Sequence, residues 1–130
     1  MVLHFDKVKE FLFELGFDIQ SEDSEKGVVF ISNEEDGIQN LMIDCEDEVL
    51  EFRQFIFKLK DPNDSHVLKK LLQINGNVVH GALFVDEEDN VIFRDTLQLE
   101  NLDLNEIQAT INSISLMMGE YATDIIKFAK

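Results

Sequence analysis

The residues of this chain best equipped for chemistry are two oxygen-rich knots, three histidines and one cysteine. The stretch "NVVHGALFVDEEDN", residues 77–90, sets His80 among small apolar residues just ahead of Asp86-Glu87-Glu88-Asp89-Asn90, and "DCEDE", residues 44–48, is the second knot. Carboxylates packed this densely could hold a divalent cation. A calcium loop of the EF-hand type, however, needs oxygen ligands at its first, third, fifth and twelfth positions and a glycine at its sixth. Counted from Asp86, the sixth residue is Val91 and the twelfth Leu97; counted from Asp44 they are Val49 and Phe55. Neither knot fits. Both are expected to be hairpin tips, where charge keeps a turn solvated and Asp and Asn accept unusual backbone angles.

The histidines do no better as ligands. His80 is expected in a strand over 78–85 that Asp86 closes, and at the rise of an extended chain the two lie ~20 Å apart. His4, His66 and His80 have none of the spacings, such as HExxH, that place two imidazoles on one ion. Cys45 stands between Asp44 and Glu46, and neighbouring carboxylates raise a thiol's pKa and disfavour the reactive thiolate. There is no GxSxG, GxGxxG or P-loop, and "NGNVVHG" lacks the lysine and the following helix that phosphate binding requires. The chain is therefore expected to be no enzyme and to carry no metal or cofactor.

The elements that position these residues read clearly. Phe5, Val8, Phe11, Leu12 and Leu15 fall on one face of a first helix, which Gly16 ends. "FDIQSE", "VVFISN", "IQNLMID" and "VLEFRQFIFKL" read as three or four antiparallel strands joined by polar turns. Asp61-Pro62 joins a preferred N-cap to the residue best tolerated at the first helical position, so a second helix is expected to start there. It carries Val67, Leu68, Leu71, Leu72 and Ile74 and stops near Asn75-Gly76. Residues 78–85 and 91–99 read as two further strands. Asp103 and Glu106 form a capping box ahead of a long closing helix with Leu104, Ile107, Ile111, Ile114, Met118, Tyr121, Ile125 and Phe128 along one stripe. That stripe fits a helix lying along a core, and equally a coiled-coil seam. The reading is a single α+β domain over residues 1–130: an antiparallel sheet of five to six strands with three helices, in the order α-β-β-β(-β)-α-β-β-α.

Composition narrows the partners. With 27 acidic and 11 basic residues the net charge is −16, which repels phosphates, so nucleic acid and anionic membranes are not expected partners. The start "MVLHFDKVKEFLFELG" lacks the basic region and unbroken apolar run of a signal peptide, and no stretch approaches the ~20 apolar residues of a membrane span. A single cysteine fits a cytoplasmic protein.

Apolar residues also occur outside the stripes. At 100° per residue, Phe13 points ~140° from the core face of the first helix, and Leu116 points nearly opposite the stripe of the last. In "VLEFRQFIF", Leu50, Phe52 and Ile56 share one sheet face while Val49, Phe55 and Phe57 share the other, so both faces call for cover. Three helices at ~10 Å each fill only one face of such a sheet. Either a helix crosses to the second face, or a second copy or another protein covers it. Phe13, Phe55, Phe57 and Leu116 are the expected partner-binding residues.

The stretch "LLQINGNVVHGALFVDEEDNVIFRDTLQLENLD" resembles the pattern "LLxxN…GAxLxxD…V…LpL…ld" of class I type III secretion chaperones and the related YbjN-like proteins, and the element order of the first half agrees. The resemblance implies that this segment is scaffold: a helix end, a hairpin and the entry to the last helix. It also implies a chaperone-like module that dimerises and binds an extended or unfolded protein segment. A regulatory or signalling adaptor of the same fold is the alternative, and a small-molecule binder the third reading.

Overall fold

The computed structural model describes residues 2–130, with side chains from His4 onward. Helix α1 (Val2–Glu14) ends at Gly16, whose positive φ of 86° lets the Phe17 N–H reach the Leu12 carbonyl and its own N–H the Phe13 carbonyl. That pair of bonds is the Schellman arrangement, which satisfies carbonyls the helix end would otherwise leave open. Four strands follow in a meander: β1 (Ile19–Asp23), β2 (Val28–Asn33), β3 (Ile38–Glu46) and β4 (Val49–Lys58), with a 3-10 turn at Glu34–Asp36. After α2 (Ser65–Asn75) come β5 (Ala82–Val85) and β6 (Asn90–Gln98), then α3 (Leu104–Glu120) and α4 (Ala122–Phe128).

The sheet is antiparallel and six-stranded, in the order β1-β2-β3-β4-β6-β5. One face is the core side, where Val29, Ile31, Leu41, Ile43, Leu50, Phe52 and Phe93 meet Val8 and Leu12 of α1 and Ile107, Ile111 and Ile114 of α3 in a single apolar cluster. Burying that much apolar side chain is the main force that holds the layers together. The opposite face presents Arg53, Phe55, Arg94 and Thr96 to solvent. Polar residues seal the core side: Thr110 donates to Asp95 at 2.7 Å, and the buried Gln54 donates to the Gly37 carbonyl and accepts from the Gln39 N–H. The Asn75 side chain grips Leu83 of β5, donating to its carbonyl at 3.0 Å and accepting from its N–H at 2.7 Å. One amide thus stands in for a missing strand and ties α2 to the sheet edge.

The six strands and the α+β order agree with expectation; four details do not. The second helix starts at Ser65, because Asp64 caps it with bonds from the His66 and Val67 N–H groups, while Asp61 accepts from the Asn63 N–H in the preceding turn. Residues 78–81 are loop, not strand. Gly81 adopts φ 77° and its Cα lies against the Phe93 ring and the Arg94 carbonyl, leaving only Ala82–Val85 to pair. The long closing helix is broken at Tyr121, whose φ/ψ of −110°/16° is not helical. The hydroxyl of the buried Tyr121 accepts from Asn77, and α4 turns away so that the Phe128 carbonyl accepts from the Lys60 N–H and the Lys130 N–H donates to the Lys58 carbonyl, setting Ala129 opposite Leu59 at the end of β4. Among the described residues there are thus four α-helices rather than three. The fourth departure, a bulge in β4, bears on the surface and is described next.

Candidate protein-binding surface

Three of the four apolar residues singled out by sequence stand in solvent: Phe13 on α1 is 82% exposed, Leu116 on α3 66% and Phe55 on β4 56%. Phe57 does not. Between Phe55 and Phe57 the register against β6 shifts, with Phe55 opposite Ile92 and Phe57 opposite Val91, so Ile56 is the extra residue of a β-bulge. The bulge reverses the alternation. Leu50, Phe52 and Gln54 are buried before it, Phe57 and Leu59 after it, and Phe57 at 4% exposure belongs to the core. The expectation that Phe57 shares a face with Phe55 is corrected on that ground.

The three exposed residues occupy separate surfaces. Phe13 stands over an open groove of about 750 Å³ with Ile19, Lys9 and the carboxylates Asp6, Glu10, Glu14 and Glu22 around it. Phe55 forms an apolar rung with Ile92 and Phe84 across β4, β6 and β5 on the outer sheet face, where the Arg53 guanidinium lies 5.5 Å from the Phe84 ring centroid. Leu116 borders a groove of about 400 Å³ between α3 and the loop after α2, together with Val79, 74% exposed, and Tyr121.

A fourth surface was not anticipated. Leu72, one of the five apolar residues that the sequence puts on the second helix, is 72% exposed, and with Leu68, Phe84 and Val85 it lines an apolar groove of about 210 Å³ between α2 and the edge strand β5. Five apolar residues within eight positions are more than one helix face can bury, which is the signal that could have found it.

The candidate chemical residues are disposed as scaffold. Asp86 organises the β5–β6 turn: its carboxylate accepts from the Asn90 and Glu88 N–H groups and the Asn90 side chain, and these bonds, the Asn90 one foremost, hold it below the usual carboxylate range. His80 is exposed in the loop, its N–H and carbonyl both bonded to the Ser113 hydroxyl. The Cys45 thiol is buried and its pKa is pushed up to about 11, first by burial and then by Asp44. Asp44, Glu46 and Glu51 do place oxygens within 4.8 Å of one another, the geometry a cation would need. But Glu51 Oε2 already accepts from Arg94 Nε at 2.6 Å and Arg53 Nη2 at 2.9 Å, which puts two positive charges beside the trio. Burial raises the Glu51 pKa, yet the two arginines outweigh it and hold the carboxyl low; Asp44, without such partners, is raised by burial and by Glu46 and Glu51.

This architecture, a single six-stranded antiparallel sheet with helices on one face, is that of the type III secretion chaperone and YbjN-like fold. The chain belongs to the CesT_Tir_1 family, whose model matches residues 1–130. No curated protein matches it. Among solved structures it is similar to YbjN from E. coli, described as a candidate transcription regulator, at 16% identity and TM-score 0.72, over 95% of this chain and 94% of that one. It is similar to a chain of the HopA1-SchA chaperone-effector complex at 17% identity and TM-score 0.63, over 91% and 93%. It is also similar to the Yersinia pestis type III secretion chaperone SycH in complex with a fragment of YscM2, at 14% identity and TM-score 0.59, over 97% and 99%. At such identities the likeness establishes the fold.

Proposed function

We propose that this protein is a non-enzymatic, chaperone-like binding module of the cytoplasm that works as a homodimer and holds an extended or unfolded segment of another protein against its exposed apolar residues. The observation that carries the reading is the solvent exposure of Phe13, Phe55 and Leu116 in a chain of this family. Folded proteins expose single apolar side chains without consequence, but Leu116 shares its groove with the exposed Val79 and Phe55 continues an apolar rung with Ile92 and Phe84. Support comes from SchA and SycH, both described as chaperones in complexes with other proteins. The net charge of −16 keeps such a surface soluble. For the dimer, the supporting feature is the apolar groove between α2 and β5, where the exposed Leu72 lies beside Leu68, Phe84 and Val85.

The test is capture from the lysate of the source cell by tagged wild-type protein and a Phe13→Asp variant. One stoichiometric companion on the wild type, reduced at least fivefold on Phe13→Asp with an unchanged melting temperature, supports the reading. A folded companion that leaves aggregation of unfolded proteins unaffected identifies an adaptor instead. Loss of folding in the variant places Phe13 in the core and removes α1 from the binding surface.

A further inference from the structure

The C-terminal end of α3 carries two grooves that meet. The first, of about 400 Å³, has Val79, Leu116 and Tyr121 on its wall; the second, of about 390 Å³, is rimmed by Glu34, Glu35 and Asp36 of the 3-10 turn. Ser115 and Gly119 line both, so the ridge between them is one helical turn with almost no side chain on it. Glu120 adds a further carboxylate at the apolar end, where Lys70 stands over the Tyr121 ring, 5.5 Å from its centroid.

Gly119 is the informative residue. A glycine inside a helix costs stability relative to alanine, so its presence calls for a reason. Close packing is not that reason: a Cβ built at Gly119 meets no atom within 4 Å. Nor is backbone conformation, since Gly119 is absent from the residues with positive φ and any L-residue could adopt its geometry. What the missing side chain does provide is a clear saddle between an apolar groove and an acidic one.

We propose that this saddle binds an extended segment of a partner protein that carries one large apolar side chain and, a few residues along, two or more Lys or Arg, with the segment's main chain crossing Gly119. The proposal rests on the protein-binding reading above and specifies the partner's chemistry at this one site. The apolar side chain would enter between Val79 and Leu116. The basic residues would face Glu34, Glu35 and Asp36, an end without the cation that Lys70 supplies at the other. Charge complementarity of this kind steers binding and makes it salt-dependent.

The probe is a fluorescein-labelled eight-residue peptide with one leucine near one end and two arginines near the other, compared with versions carrying serine for leucine or glutamate for arginine. Anisotropy is read on the full-length wild type and on Gly119→Gln and Leu116→Ser. Gly119→Gln is the discriminating variant: its Cβ would meet no atom of this chain within 4 Å and it replaces a helical glycine, so its melting temperature should match or exceed wild type while peptide affinity falls at least fivefold. Leu116→Ser should weaken binding similarly, and both altered peptides should bind at least fivefold more weakly. Equal affinity for wild type and Gly119→Gln, binding that ignores the leucine, or no binding to wild type would each overturn the saddle. A lysate companion lost on Phe13→Asp but kept on Gly119→Gln would sink this proposal alone. Peptide binding at the saddle with no lysate companion would sink the broader chaperone reading instead.

Discussion

Cys45 and Asp44 are neighbours on β3 whose side chains alternate across the sheet, and their titration follows from that alternation. Cys45 points into the core, and with its pKa near 11 it should resist a thiol reagent such as Ellman's at pH 8 in the native state and react at once in denaturant. Rapid labelling of the folded protein would show that β3 opens locally. Asp44 faces outward beside Glu46 and Glu51, with a folded-state pKa raised above its ordinary 3.8. A raised acid favours the fold while protonated, so its contribution is present below about pH 3.8 and lost as the pH rises through the higher folded value. Asp44→Asn is thus expected to stabilise the protein at pH 7 by a few tenths to about 1 kcal/mol, with the gain vanishing toward pH 3. Urea midpoints at the two pH values test this, and a loss of stability at pH 7 would mean that Asp44 is held by a favourable contact. The high pKa of Cys45 was readable from its flanking carboxylates; that burial would be the larger cause was not, because it depends on the helices that cover β3.

At the scale of elements, local signals were the dependable ones. The Schellman end at Gly16, the capping box of Asp103 with Glu106, and the acidic turn at Asp86 are each written within a few residues, and each formed as read. The misses share a different cause. The start of α2 was read at Asp61-Pro62, whereas Asp64, an equally good cap, is the residue that closes it, and the break at Tyr121 goes with a bond from Asn77. The β4 bulge, which decides between Phe55 and Phe57 as surface residue, is visible only once β6 lies alongside. Gly37 is a second tightly constrained junction beside Gly81. It adopts φ 75°, and an added Cβ would lie 2.8 Å from Met118 Cβ, so Gly37→Ala is expected to cost about 2–3 kcal/mol in urea unfolding. A cost below about 1 kcal/mol would show that the 3-10 turn can move away from α3.

For the whole molecule, the sequence pointed to an unmet need for cover on the second sheet face, and no helix crosses to it: Arg53, Phe55, Arg94 and Thr96 remain in solvent. Leu72→Asp should convert the proposed homodimer to a monomer by light scattering and leave the melting temperature of the monomer within a few degrees; an unchanged dimer would move the interface away from the α2–β5 edge, and a monomeric wild type would remove the dimer from the proposal. The strand order was beyond sequence reading, since placing β6 between β4 and β5 is a long-range choice that only the assembled core makes. That order has a kinetic consequence. Strands β1 to β4 can close as successive hairpins with short loops, whereas β6 reaches β4 only after the chain through α2 and β5 has been looped back. Closing the long loop is the entropically expensive event, so the rate-limiting step of folding should be the docking of β6 on β4. Phe93→Leu should therefore slow refolding in stopped-flow experiments, while Val29→Ala in β2 should leave refolding nearly unchanged and accelerate unfolding.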